Sequence, residues 1–270
     1  MHLPFYQVDS FTRRAFHGNP AGVVPLESWL PDERMQQIAA EASLSETAFV
    51  VRTGSPPQQG GSADASYHIR WFTPTVEVDL CGHATLGAAH VLWHHVGERA
   101  PRVVFQSRSG PLPVERDGDL TVLDFPSRPG TQIPVSDELA SALGRRPAEA
   151  YSSHKIMAVF DNKRDVHELA PDMARVAAFD VVGVIVTAPG AGHDFVSRFF
   201  APRVGVPEDP VTGSAHCTLA PYWATRLGKS KVTGHQVSRR GGELFCEVVG
   251  DRVKIGGHCV MYLEGRICVS

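Results

Sequence analysis

No stretch of this sequence approaches the roughly 20 apolar residues that span a bilayer, and Met1-His2-Leu3-Pro4 lacks the basic start and apolar core of a secretory leader. The chain is therefore expected to work in water, without a membrane partner. Excess charge of one sign is equally lacking: 26 basic residues stand against 29 acidic ones, a net charge of −3, spread rather than blocked. That balance gives no electrostatic footing for nucleic acid. Cysteine is sparse and odd in number. The five, at 81, 217, 246, 259 and 268, form no CxxC pair, which argues against a disulfide framework or a zinc knuckle and makes a reducing cytoplasm the expected compartment. The sequence also lacks GxGxxG, the P-loop glycine-lysine signature, HExxH and GxSxG. With those fingerprints missing and no metal-ligand spacing, the chemistry left to expect is acid–base chemistry with no cofactor and no metal.

What the sequence does contain is a phrase stated twice. Arg70-Trp71-Phe72-Thr73-Pro74-Thr75-Val76-Glu77-Val78 leads into Cys81-Gly82-His83-Ala84-Thr85-Leu86, and Arg198-Phe199-Phe200-Ala201-Pro202-Arg203-Val204-Gly205-Val206 leads into Thr212-Gly213-Ser214-Ala215-His216. Each copy reads Arg-aromatic-Phe-x-Pro-x-Val-x-Val, then a short polar stretch, then a glycine turn opening an apolar run. The copies lie 198 − 70 = 128 positions apart in a chain of 270. Two lobes built on one plan are the expected cause, with matching turns able to face each other across a cleft.

Hydrophobic spacing supplies the elements. Pro4 to Asp9 and Thr47 to Val51 read as strands, and Gly18-Asn19-Pro20-Ala21-Gly22 as a turn. Pro31 to Ala42 reads as a helix with Met35, Ile38, Ala39 and Ala42 on one face. Residues 54 to 66, rich in Gly, Ser, Pro and Gln, read as a surface loop without chemistry. Ala84 to Val96 is small and apolar all round, the pattern of a buried helix. Residues 103–105, 112–115 and 121–125 read as short strands, and Pro126 to Pro134 as the linker between lobes. The second lobe repeats the grammar: helices near 137–143 and 173–178, strands near 156–160 and 181–187, a helix over Ala215 to Leu227, then strands at 236–238, 244–249, 253–256 and 260–267, with Arg239-Arg240-Gly241-Gly242 as a hairpin turn. The expected boundaries are 1–127 for the first lobe, completed by a C-terminal strand at 260–270, and 128–259 for the second.

Gly82-His83 and Gly213-Ser214 each open an expected helix, where free backbone N–H groups and the helix dipole favour an anion. A lone turn of this kind is usually just helix-on-sheet packing; two in register point to a carboxylate-bearing ligand and an enolate-like intermediate. His83 reads either as a core or capping histidine or as a proton shuttle. Asp209 reads either as a helix cap or, with Ser214, as a group that orients substrate. Ser43-x-x-Glu46 matches a capping box, yet the β-branched run after Glu46 begins no helix to cap. A carboxylate at such a helix-to-strand corner can project into a cleft and serve as a general base. His94 and His95, adjacent on a helix, face different ways and do not read as joint metal ligands.

These pieces together resemble the PhzF-like, or phenazine-biosynthesis-like, family, whose fold is related to that of diaminopimelate epimerase. The resemblance rests on Val8-Asp9-Ser10-Phe11 with Phe16-His17-Gly18-Asn19-Pro20-Ala21, Leu44-Ser45-Glu46-Thr47-Ala48-Phe49, Arg70-Trp71-Phe72-Thr73-Pro74 with Leu80-Cys81-Gly82-His83-Ala84, Phe200-Ala201-Pro202 with Glu208-Asp209-Pro210-Val211-Thr212-Gly213-Ser214-Ala215-His216, and Arg240-Gly241-Gly242-Glu243-Leu244. The wording is especially similar to that of animal members. The resemblance implies an α+β fold of two pseudo-symmetric lobes, each a β-barrel-like sheet around a central helix, and a homodimer. It implies Glu46 as the base and then acid that moves a proton between carbons without metal or cofactor. His83, Asp209 and Ser214 match substrate-contacting side chains, Gly82 and Gly213 carboxylate-binding amides, and Asn19 a position near the substrate. The related epimerases use two opposed cysteines; Cys81 stands where the first would lie, but the second turn carries Asp209 instead, and Cys217 falls inside the following helix. The expectation is a proton-shifting isomerase acting on a small carboxylate-bearing metabolite. An epimerase or racemase on the same scaffold, using Glu46 with Cys81 or Asp209, and a non-catalytic binding protein that retains the cleft are the alternatives.

Overall fold

The computed structural model describes residues 1–53 and 64–269. The chain divides into two compact units, Met1–Asp124 with Gly256–Ser270, and Phe125–Ile255.

In the first unit β1 (His2–Ser10) pairs antiparallel with β2 (Asn19–Leu26), the turn between them closing at Gly18. Helix α1 (Asp32–Ala42) carries the chain over to β3 (Glu46–Arg52), which runs parallel to β2. Its apolar residues Met35, Ile38 and Ala39 recur at helical spacing and pack with Phe5, Val24, Phe49 and Phe72 from the sheet. Strand β4 (Ala65–Phe72) lies antiparallel to β3, with the two-residue β5 (Glu77–Val78) folded back on its end. Helix α2 (Gly82–Val91) then leads to β6 (Arg102–Ser107), parallel to β4, and to the antiparallel β7 (Gly110–Asp117) and β8 (Leu120–Pro126). The free edge of β1 is covered by the C-terminal strand Cys259–Cys268, antiparallel, from His2 opposite Cys268 to Ser10 opposite Cys259.

In the second unit β9 (Thr131–Ile133) covers β10 (Glu149–Ser152) antiparallel, with α3 (Asp137–Leu143) between them in sequence. Strand β11 (Ile156–Val159) follows antiparallel to β10, and α4 (Lys163–Glu168) and α5 (Met173–Ala177) lead to β12 (Val184–Pro189), parallel to β11. Strand β13 (Phe195–Phe200) is antiparallel to β12. Helix α6 (Gly213–Leu227) carries the chain to β14 (Lys231–Gln236), parallel to β13, and β15 (Gly242–Val249) returns antiparallel before β16 (Arg252–Gly257) and the C-terminal β17 already described. Leu139, Leu143, Val166 and Val176 from the short helices pack with Val184, Val186 and Phe200 of the sheet.

From β1 to β7 and from β10 to β15 the neighbours pair in the same order: antiparallel, parallel, antiparallel, parallel, antiparallel. In each unit the long central helix lies, in sequence, between the fourth strand of that series and the one that pairs parallel to it. The helices α2 and α6 are buried almost all round, from His83 to Val91 and from Ala215 to Ala220, because their sequences offer no polar face to water.

Four sequence readings need correction. The turn read over 18–22 keeps only Gly18, since Asn19 opens β2, and the strand read at 236–238 ends at Gln236, the last residue of β14. The loop read over 54–66 ends earlier, since Ala65 and Ser66 belong to β4; residues 54–63 of it lie outside the described residues. The stretch read as a linker over 126–134 contains β9, which pairs with β10. Pro129 and Pro134 flank the three-residue strand, so neither takes a donor from its ladder, while Pro126 is the last residue of β8. Past Val91 the buried helix continues as a π-helical segment, Leu92–Val96, and ends at Gly97 with positive φ.

Candidate active site

Glu46 is the first residue of β3, so the capping box suggested by Ser43-x-x-Glu46 does not form. Ser43 instead ends α1 in the left-handed region, φ 52°. Register places Glu46 beside Ala21 of β2, two residues beyond the fully buried Asn19. The first turn of α2 approaches the same corner. Ser10 Oγ donates to the His83 carbonyl at 2.8 Å, tying that turn to the end of β1. The result brings His83 Nε2 to 3.3 Å from Glu46 Oε2 and Cys81 Sγ to 3.5 Å from His83 Nδ1. The His83 ring also hydrogen-bonds the Pro20 carbonyl, so β2, β3 and α2 all contribute. Glu46 retains 19% side-chain exposure where His83 retains 7%; the carboxylate can reach a ligand while the imidazole backs it.

Burial pushes the His83 pKa down to about 3, against which the Pro20 contact acts only weakly. The ring is therefore neutral at physiological pH and cannot form a true ion pair with Glu46. Its Nε2 is buried and makes no hydrogen bond of good geometry. The α2 N-terminus has no side-chain cap: Cys81, the N-cap, is extended at φ −144°, ψ 111°, and its thiol turns to His83. Backbone N–H groups at Gly82 and His83 thus supply the positive end of a buried helix beside a carboxylate.

The second repeat builds its own turn in the other unit. Thr212, the N-cap of α6, is extended and gives no side-chain cap. Its hydroxyl instead donates to Asp209 Oδ2 at 2.5 Å. Gln236, at the end of β14, holds the loop: its Oε1 accepts from Thr212 N–H at 2.9 Å and its Nε2 donates to the Asp209 carbonyl at 2.8 Å. Ser238 Oγ donates to the Pro210 carbonyl at 2.6 Å. Gly213 is buried at the helix start and Ser214 is partly exposed beside it. His216 is fully buried and its Nδ1 meets the Thr212 carbonyl, with its pKa pushed down to about 4 by burial.

The repeated arginine has a role that sequence reading did not assign. Arg70 binds Glu77 with two hydrogen bonds, 2.7 and 2.8 Å, and lies 5.2 Å over Phe72. Arg198 binds Glu208 in the same fork, 2.7 and 3.0 Å, and lies 4.8 Å over Phe200. Each fork closes the loop that runs from a strand into a glycine turn. Gln236 and Ser10 were also missed, and no sequence signal marks them, because each acts through a register set by distant strands. Elsewhere, His94 packs at a tilt against His90, which also borders His95, while His95 Nδ1 meets Glu264 at 3.0 Å. Among the described residues no helix is long and apolar enough to cross a membrane.

A duplicated α+β fold whose strands wrap a buried central helix is that of the diaminopimelate-epimerase-like proteins. A hydroxyproline epimerase from Agrobacterium vitis shares this fold at TM-score 0.57 over 98% of this chain and 92% of its own, with 12% identity. The chain belongs to the phenazine biosynthesis-like protein family, whose model matches residues 8–265. A PhzF-family protein from Enterococcus faecalis superposes with TM-score 0.94 over 100% of both chains at 44% identity. An uncharacterized isomerase of Pseudomonas aeruginosa is 51% identical over 100% of both chains. The human phenazine biosynthesis-like domain-containing protein is 38% identical over 99% of both.

Proposed function

We propose that this chain is an isomerase that moves a proton between carbons of a small carboxylate-bearing metabolite, with no cofactor, using Glu46 as base and then as acid. The reading rests on one observation above others: Glu46 lies 3.3 Å from the neutral, buried His83, at the uncapped start of α2. Glu46 removes a proton from one carbon, the electron pair delocalises toward the substrate carboxylate, and the same carboxyl group returns the proton to another carbon. Nothing is oxidised or reduced. The Gly82 turn lowers the cost of the negative charge that develops, since its amides are already oriented. Neutral His83, 3.3 Å away, lies beside Glu46 without competing for its proton. Within the same unit Asn19, two residues before the Ala21 that pairs with Glu46, is the further substrate contact that the family likeness assigns.

The epimerase alternative is less well supported where it pairs Glu46 with Cys81. Two-base inversion needs its groups on opposite faces of one carbon, each roughly 3–3.5 Å from it, hence about 6–7 Å apart. Ligating atoms of Glu46 and Cys81 lie within 4.8 Å of each other, which suits transfer over one face. The test is exchange in deuterium oxide: a panel of small unsaturated and amino-substituted carboxylates is incubated with the protein and carbon-bound deuterium is read by mass spectrometry. Wild-type protein should label and isomerise one class of acid, and Glu46→Gln should bind that acid and label nothing. Full labelling by Glu46→Gln would remove Glu46 from the mechanism, and labelling with inversion at a single stereocentre would favour the epimerase. The homodimer implied by the family is part of the same proposal, supported by the exposed Phe16, Tyr262 and Leu263 of the first unit, and light scattering on the purified protein measures it.

A further inference from the structure

The corner that holds Glu46 carries a second chemistry. A carboxylate oxygen of Glu46, Cys81 Sγ and a ring nitrogen of His83 all lie within 4.8 Å of one another. Thiolate, imidazole and carboxylate are the ligand types that zinc takes, at about 2.0–2.3 Å, which puts the ligand atoms of a tetrahedral site roughly 3.3–3.8 Å apart. Glu46 Oε2 and His83 Nε2 are already 3.3 Å apart; Cys81 Sγ lies 3.5 Å from the other ring nitrogen, Nδ1, so its side chain must rotate to bring the thiolate to the Nε2 side of the ring. His83 Nε2 is buried and has no hydrogen-bond partner, though it faces a carboxylate oxygen.

We propose that Glu46, Cys81 and His83 form a site for a soft divalent cation of the zinc class, with water as the fourth ligand, filled in competition with the organic acid. On binding, the Cys81 S–H bond breaks, its proton passes to solvent and a sulfur–metal bond forms; no electron changes hands. The metal also takes up the Glu46 lone pair that would remove a substrate proton, so occupancy silences proton transfer. The competition rests on the isomerase reading above; the metal site itself does not. The ligands come from β3 and from the start of α2, which explains why no spacing pattern in the sequence announces them.

The test is titration of the full-length, metal-stripped protein with cobalt(II) under anaerobic conditions. A thiolate-to-cobalt charge-transfer band in the near ultraviolet, with intense visible bands of a four-coordinate ion, should appear at one cobalt per chain and vanish when zinc is added. Cys81→Ala should abolish the near-ultraviolet band, and His83→Asn should weaken cobalt binding by at least about 10–100-fold, as loss of even an outer partner does at metal sites. Both positions are buried, so circular dichroism must show each variant folded. Glu46→Gln, at a partly exposed position, gives a second reading and should also weaken binding. His94→Ala, which breaks the tilted His90–His94 ring contact elsewhere on the same unit, should leave the band unchanged. No thiolate band in the wild type, or equal binding by wild type, Cys81→Ala and Glu46→Gln, overturns the site. A band that depends on Cys81 upholds the site even if Glu46→Gln keeps its exchange activity, and loss of exchange in that variant cannot rescue the site if the band is absent.

Discussion

Burial decides the behaviour of the histidines. His83 is pushed down to about 3, and His90 and His216 to about 4, each chiefly by loss of water around the ring. In the unfolded chain the same groups take up protons near pH 6.5, the ordinary histidine value. Below that value the unfolded chain binds more protons than the folded one. Stability is thus full above about pH 6.5 and falls as pH drops toward 4, by up to about 1.4 kcal/mol per pH unit for each group. The urea midpoint should therefore drop between neutral and mildly acid buffer, and His90→Gln should flatten that slope; a midpoint unmoved by pH contradicts the assignment. Of the candidate-site residues, Glu46 was legible in sequence because a carboxylate precedes a β-branched run and no helix follows it, and His83 because it opens a helix at a glycine turn. That His83 and Cys81 meet Glu46 was not legible, since it comes about through tertiary packing that leaves no trace in local pattern.

Loops that position the site are set by features of single elements. Gly18 closes the β1–β2 turn at φ +66°, and a Cβ there would lie 2.2 Å from the Ser10 carbonyl oxygen. Gly18→Ala should therefore cost more than the roughly 1–2 kcal/mol of the left-handed conformation alone, read as a lower urea midpoint together with weaker ligand binding next to Asn19. The forks Arg70–Glu77 and Arg198–Glu208 make the same device twice. Lysine keeps the charge but loses the paired geometry, so Arg198→Lys should destabilise by about 1–2 kcal/mol and Arg70→Lys by a similar amount. Equal stability of both variants with wild type would reduce the forks to surface ion pairs. Helix α6 shows why element boundaries were only partly legible. Pro221 sits inside it and cannot donate to the Cys217 carbonyl, and Arg128 N–H supplies that bond at 2.8 Å instead. Periodicity carried the helix through the proline correctly, but nothing local told that the 126–134 segment, read as a linker, would dock there and contribute β9.

At the scale of the molecule the duplication is complete in pairing order but not in how each unit closes its edge. The second unit covers β10 with β9, which lies only a helix away in the chain. The first covers β1 with β17, which arrives from the far end of the sequence and pairs along the whole of β1, with Met1 N–H₃⁺ also meeting the Val269 carbonyl. The sequence showed the repeat in its arginine and glycine phrases, whereas the parallel pairings and this difference in closure depend on contacts between residues distant in the chain. An uncovered β1 would present a long row of unpaired backbone groups beside the buried Val8 and Phe5, which favours aggregation. Expressed alone, residues 125–255 should therefore fold cooperatively, with a sharp urea transition and a monodisperse elution. Residues 1–124 should aggregate by themselves and recover when 256–270 is fused ahead of Met1 through a flexible linker long enough to place β17 antiparallel to β1. A soluble, cooperative 1–124 fragment would show that β17 is dispensable to the first unit, and a fused fragment that still aggregates would place the missing stability outside the β1–β17 ladder.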